Sequence, residues 1–291
     1  MCSTCGCGEA DVRVVTLGAD GPTGHGHGHA QGHGPDHDHD HDHDHDGGRD
    51  HVHVEPDPEL RTHTLDLEVA VLAKNDELAT RNRAWLAGRG IVALNMMSSP
   101  GAGKTTLLEG TISRAARPVS VIEGDQETVY DAERIRAAGA EVVQVNTGAG
   151  CHLDAAMVAR ALDQLQPAPD SILFVENVGN LVCPALFDLG EARKVVVISV
   201  TEGDDKPLKY PHMFAAADLV VVNKIDLLPY VDFDVERLTR DARSINPDVQ
   251  VLPISATSGE NVTAWLSWLE GLAGASPRLA STLDTPPETG A

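Results

Sequence analysis

The stretch from Ile91 to Thr106 constrains this chain more than any other. Ile91-Val92-Ala93-Leu94-Asn95-Met96-Met97 is short, apolar and uncharged, which reads as a strand buried on both faces of a parallel sheet. Ser98-Ser99-Pro100-Gly101-Ala102-Gly103-Lys104-Thr105-Thr106 follows, and Leu107-Leu108-Glu109-Gly110-Thr111-Ile112 opens a helix. A strand, a glycine-bearing turn and Gly-Lys-Thr on a helix N-terminus are the context a phosphate-binding loop requires. Gly101 and Gly103 let backbone N–H groups turn inward around a polyphosphate, Lys104 sets a charge on the outer phosphates, and the Thr105 hydroxyl is placed to ligate Mg²⁺. Gly101, Ala102, Gly103, Lys104, Thr105 and Thr106 are therefore nucleotide-binding candidates. The usual pattern begins with Gly where this chain has Ser98, a small residue that still fits.

At 291 residues and 42% hydrophobic, the chain holds one α/β domain of about 200–230 residues plus a tail. With 3% aromatics, the core must be Val, Leu, Ile and Ala. A formal charge of −22 excludes nucleic acid and anionic membranes as partners. No apolar run reaches spanning length, and no signal-peptide pattern opens the chain, so the expected compartment is the cytoplasm. There, Cys2, Cys5, Cys7, Cys151 and Cys183 read as metal thiolates rather than disulfides.

Three segments are expected: residues 1–58, a disordered metal-binding tail; 59–274, a nucleotide-binding domain; and 275–291, a frayed end. The tail cannot form a core. Cys2-Ser3-Thr4-Cys5-Gly6-Cys7 clusters three sulfurs tightly enough for a claw around a soft or borderline divalent ion, although exposed, unused thiols are the alternative. A tract from Gly24 to His53 then alternates His with Gly and later with Asp. It includes His25, His27, His29, His33, His37, His39, His41, His43 and His45. Imidazoles suit Ni²⁺, Zn²⁺ and Cu²⁺, and many weak sites imply storage or buffering; a cloning tag would be a uniform His run.

Beyond the tail, Leu60 to Gly88 reads as a helix with Leu65, Leu72, Leu78 and Ala79 on its spacing. Further strands are expected at 118–123, 141–146, 171–175, 194–200, 218–222 and 249–254. Helices are expected near 153–165 and after Gly259. This alternation predicts a P-loop α/β fold: a mostly parallel, doubly wound sheet covered on both faces.

Ligands of such sheets bind beyond the carboxyl ends of the strands, where the unusual residues fall. Asn223-Lys224-Ile225-Asp226 is the guanine signature: the Asp226 carboxylate accepts from the guanine N1 and amine, a pairing adenine cannot return. Ser255-Ala256-Thr257 ends the next strand, where backbone N–H groups meet the guanine carbonyl. Asp125 and Glu176, each at a strand end, are candidates to hold Mg²⁺ or orient the attacking water. Asp125 also suits a helix N-cap before Gln126-Glu127. No Gln follows two residues after an equivalent Gly, so turnover is expected to be slow.

These motifs, with Gly148-Ala149-Gly150-Cys151-His152 and Glu176-Asn177-Val178-Gly179-Asn180-Leu181-Val182-Cys183-Pro184, resemble the nickel-incorporation GTPases of hydrogenase maturation, the HypB type. The resemblance spans residues 60–273 and the first residues of the chain. It implies a tight nickel site at Cys2, Cys5 and Cys7, and a second Ni²⁺ or Zn²⁺ site at Cys151, His152 and Cys183 near a dimer interface. A Cys-His pair with a thiolate from another loop is a reasonable site without the analogy, though Cys183 alone also fits a buried thiol. The implied protein is a GTP-dependent homodimer that takes nickel toward the hydrogenase large subunit with a nickel-insertion partner. A urease-type relative would carry Cys-Pro-His, whereas Ala185 follows Cys183-Pro184 here. A metal-storage protein and a cobalamin-enzyme accessory GTPase are the other readings; the nucleotide motifs oppose the first and the N-terminal thiols the second.

Overall fold

The computed structural model describes residues 13–16, 58–125, 130–148 and 150–273, with side chains from Val69 onward. Cys2, Cys5, Cys7, the His tract and residues 275–291 lie outside the described residues. Residues 58–70, the start of the first helix, group apart from the compact unit that includes Val71 onward, and only the latter is described below.

The sheet order is β1-β4-β3-β5-β2-β6-β7-β8. Its members are β1 (Arg13–Thr16), β2 (Val92–Ser98), β3 (Val119–Asp125), β4 (Glu141–Asn146), β5 (Ile172–Gly179), β6 (Arg193–Ser199), β7 (Leu219–Asn223) and β8 (Gln250–Pro253). Strands β2 to β8 pair in parallel, as their apolar runs separated by helices predict. Two points differ from the sequence reading. Arg13–Thr16, inside the segment expected to be irregular, pairs antiparallel with β4 as an edge strand; Val14-Val15 supplies the β-branched pair such an edge accepts. And β5 runs beyond the expected end at Val175 through Glu176 and Asn177 to Gly179, so these are strand residues with fixed facing.

Because side chains alternate along a strand, β3 and β5 serve two layers. Val121 and Phe174 pack with Leu107 and Leu108 of α2 (Lys104–Ile112), Ile135 of α3 (Tyr130–Ala137) and Trp265 of α8 (Val262–Ala273). Ile122, Leu173 and Val175 pack on the other face, with Val158 and Leu162 of α4 (Ala155–Leu165) and Leu86 of α1 (Pro58–Ala87). A third cluster joins β6 and β7 to Phe214 of α6 (Pro211–Ala216) and Leu238 of α7 (Val235–Ile245); the single turn α5 (Lys206–Lys209) precedes α6.

Helix α1 is where the expected spacing fails. Its buried stripe is Asn75, Ala79, Asn82 and Leu86; of the expected positions Ala79 is buried, Leu72 and Leu78 are only partly so, and the Leu65 side chain lies outside the described ones. The two asparagines are retained at core positions because they satisfy backbone. Asn75 Nδ2 donates to Asp188 O at 2.8 Å and its Oδ1 accepts from Ala155 N at 2.9 Å. Asn82 Nδ2 donates to Ala155 O at 2.8 Å and Leu189 O at 3.1 Å.

Candidate functional site

The phosphate loop leaves the central strand β2 where its register against β5 shifts between Met96 and Ser98. Gly103 stands at φ 95°, a conformation L side chains rarely adopt, directly before Lys104 opens α2. Ser98, in place of the usual glycine, is fully buried; its Oγ donates to Ser99 O at 2.6 Å and accepts from Lys104 Nζ at 2.5 Å. The substitution thus parks the lysine at the loop. Ser99 Oγ donates to Glu202, whose other oxygen accepts from Ser199 N at 3.1 Å, which ties the loop to the end of β6.

A cleft of about 520 Å³ opens over this loop, lined among others by Lys104, Thr105, Asp125, Glu176 and Lys224. Thr105 Oγ1 donates to Glu176 Oε1 at 2.9 Å, so the hydroxyl and carboxylate expected at Mg²⁺ already touch. The second Glu176 oxygen is buried without a partner, and burial pushes the carboxyl up from its ordinary value against the opposing charge of Lys104. An all-oxygen set with one acceptor left over suits a hard, octahedral cation such as Mg²⁺.

Sequence reasoning missed Glu123. It pairs in register with Glu176 and is 3% exposed, and burial, then the Glu176 charge, push its carboxyl up to about 9. The signal was present: in Val121-Ile122-Glu123-Gly124-Asp125 the carboxylates occupy the same alternate positions as buried Val121. Also missed was Arg134, which lines the cleft. Its Nε and Nη2 reach both oxygens of Glu109 at 3.0 and 2.6 Å, and Nη2 also donates to Thr106 Oγ1 at 3.1 Å.

The residues of the expected guanine signature sit beside the cleft rather than lining it, except Lys224. Asn223 Nδ2 donates to Ala102 O at 2.9 Å, and its Oδ1 accepts from Lys224 N and from Ala256 N at 3.0 Å. The Ala256 N–H, expected toward a guanine carbonyl, is thus held by Asn223. Lys224, in the left-handed region at φ 64°, donates to Gly101 O at 2.7 Å. Asp226 is exposed, and its Oδ1 accepts from Ser255 Oγ at 2.5 Å, which fixes the carboxylate's direction.

On the opposite face of β3 and β5 lies the thiol-imidazole cluster. One ligand atom each from Cys151, His152 and Cys183 falls within 4.8 Å of the others. His152 is buried and stacks on Phe187 at 4.0 Å; burial lowers its pKa, so the imidazole is neutral and able to ligate at neutral pH. Cys183 heads a short 3-10 turn, Cys183–Ala185, with Pro184 fixing its first step. Side-chain amides hold the two loops together. Asn180 Nδ2 donates to Cys151 O at 3.4 Å, and Asn177 Oδ1 accepts from Leu153 N at 3.0 Å. Asn177 is next to Glu176, so one strand residue faces the cleft and its neighbour holds the cluster. Gly124 belongs to the same junction: a Cβ there would meet Leu153 at 2.8 Å, so only glycine lets the segment after His152 lie against β3. Two thiols and an imidazole suit Zn²⁺ or Ni²⁺.

Among the described residues, no helix is long and apolar enough to cross a membrane. The family described as CobW/HypB/UreG, nucleotide-binding domain, matches residues 92–253. The hydrogenase maturation factor HypB of Escherichia coli (strain K12) is 61% identical over 208 residues, covering 71% of this chain and 72% of that protein. The HypB of Azotobacter vinelandii is 55% identical over 222 residues, covering 76% and 73%. Among solved structures, HypB from Archaeoglobus fulgidus superposes with a TM-score of 0.66 at 41% identity, covering 70% of this chain and 100% of that one. HypB from Helicobacter pylori in complex with nickel gives 0.66 at 37%, covering 69% and 95%. With its phosphate loop, guanine signature and thiol-imidazole cluster in place, this chain belongs to the HypB hydrogenase maturation factors of the CobW/HypB/UreG family.

Proposed function

We propose that this protein is a slow GTPase that binds, stores and delivers nickel for maturation of [NiFe]-hydrogenase. The observation that carries this reading is the juxtaposition of two sites on consecutive, oppositely facing residues of β5: a phosphate cleft at Glu176 and a soft-metal cluster anchored by Asn177.

Thr105, Asp125 and Glu176 would hold Mg²⁺, which neutralises charge on the β- and γ-phosphates during hydrolysis. Lys104 leaves Ser98 to meet the outer phosphates, and Asp226, held by Ser255, selects guanine. Asp125 or Glu176 orients the attacking water. Cys151, His152 and Cys183 carry Ni²⁺ or Zn²⁺ as cargo. Cys2, Cys5 and Cys7 supply a tight site, and the His tract from His25 to His45 is a reservoir. The protein works in the cytoplasm as a GTP-dependent homodimer with a nickel-insertion partner and the hydrogenase large subunit.

Ordering of the strand ends by a γ-phosphate moves the loops that carry the cluster, so nucleotide and metal are linked reciprocally, by about 1–3 kcal/mol. The experiment is sedimentation of the protein with non-hydrolysable GTP, GDP or neither, each with and without Ni²⁺, alongside metal content and GTP turnover. The expected result is slow turnover and a dimer whose population depends on both ligands. A profile indifferent to nucleotide and metal would remove the delivery mechanism. Metal binding without GTP turnover would favour storage.

A further inference from the structure

We propose that Glu123 positions the magnesium ion of the GTP site by accepting hydrogen bonds from the ion's water ligands. This rests on the reading of the cleft as a GTP–Mg²⁺ site and adds a residue to it.

Glu123 and Asp125 occupy alternate positions of β3, and Glu176 lies across the ladder in register with Glu123. All three line the cleft beside Thr105. Glu123 and Glu176 are 3% and 5% exposed, and each keeps a buried Oε2 without a hydrogen-bond partner. Leaving such an oxygen unpaired costs about 1–3 kcal/mol, more when charged. The cleft's cations do not relieve it: Lys104 donates to Ser98, Arg134 pairs with Glu109, and Lys224 donates to Gly101 O. The fold therefore keeps two adjacent buried carboxyl groups, each with an oxygen placed to accept from an incoming group.

Magnesium fits that pair of oxygens in a particular way. It retains several waters and takes one or two carboxylates directly. Two residues earlier than Asp125, Glu123 sits about 6–7 Å further down the strand from the phosphates. That depth places its carboxylate behind the directly ligating groups, where water bound to the ion donates toward the protein. Outer carboxylates of this kind orient the inner ligands, and their loss typically weakens metal affinity about 10–100-fold.

The test uses the full-length chain with fluorescently labelled GDP as the probe. Affinity is measured in EDTA and across a Mg²⁺ titration for wild type, Glu123→Gln and Glu123→Ala, and Mn²⁺ binding to each GDP complex is followed by EPR. The expected result is unchanged GDP affinity in EDTA but a half-saturating Mg²⁺ or Mn²⁺ concentration raised at least about tenfold in both variants. Glu123→Asp should recover part of the loss. If Glu123→Ala fails to fold, Glu123→Gln, which keeps the volume, carries the measurement. Variants with wild-type metal dependence overturn the proposal while leaving the GTP reading intact. A wild type whose GDP affinity ignores magnesium removes the reading and the proposal together.

Discussion

The phosphate cleft and the thiol-imidazole cluster share two strands but are held in different ways. The cleft is set by β2, β3 and β5 themselves, by a left-handed glycine, and by buried carboxylates in fixed register. The cluster hangs on connections: Cys151 and His152 follow β4 and Cys183 follows β5, and side-chain contacts span them, among them the amides of Asn177 and Asn180, the amides of Asn75 and Asn82 on α1, and the His152–Phe187 stack. A ladder of backbone bonds fixes one geometry, whereas connections held by side-chain contacts open at lower cost. On the proposed reading, the backbone-held site is the one where chemistry must be aligned, and the side-chain-held site is the one that takes up and gives up an ion.

Variants should separate the two. Lys104→Ala should lower GTP turnover by about 100-fold or more, measured by phosphate release, while leaving metal content at the cluster unchanged. Asp226→Asn should shift preference from GTP toward xanthosine triphosphate by about 100-fold in a competition titration; equal binding of ATP and GTP by the wild type would break the guanine assignment. Cys183→Ala should weaken Ni²⁺ or Zn²⁺ at the cluster at least about tenfold, read by equilibrium dialysis on protein lacking residues 24–53. Asn177→Ala is the sharpest, because it touches both regions. It frees the buried Leu153 and Val178 N–H groups, at about 1–3 kcal/mol of stability, and should weaken cluster metal without abolishing GDP binding. The smallest effect concerns pH. Since Glu123 has a folded value of about 9 against an ordinary 4.5, folding favours its neutral form. That stability is complete below 4.5 and is lost as pH rises toward 9. The melting temperature of nucleotide-free, magnesium-free protein should fall across this window, and less so in Glu123→Gln.

The rigid region was the more legible one. The seven parallel strands, the phosphate loop and the guanine signature are local patterns, each written within about ten residues. What local reading could not supply was partnership. Asn75 and Asn82 look like surface residues until Ala155 and Leu189 arrive from far along the chain. Glu123 escaped because, as the last residue of the expected strand 118–123, it is passed over for Asp125 just beyond it, although its alternation with Val121 marked it as inward. Cys151, His152 and Cys183 were singled out from residue types and from resemblance; their meeting within 4.8 Å depends on tertiary hydrogen bonds that no spacing encodes.

Helix α1 carries a consequence for anyone engineering this fold. Its buried stripe invites leucine at positions 75 and 82, and such a change would enlarge the apolar contact with the sheet. It would also strip partners from the amide of Ala155 and from the carbonyls of Asp188, Ala155 and Leu189, which lie just beyond His152 on one loop and Cys183 on the other. A thermostabilised variant made by this route would gain a greasier core and lose the brace that keeps the loops of Cys151, His152 and Cys183 in step.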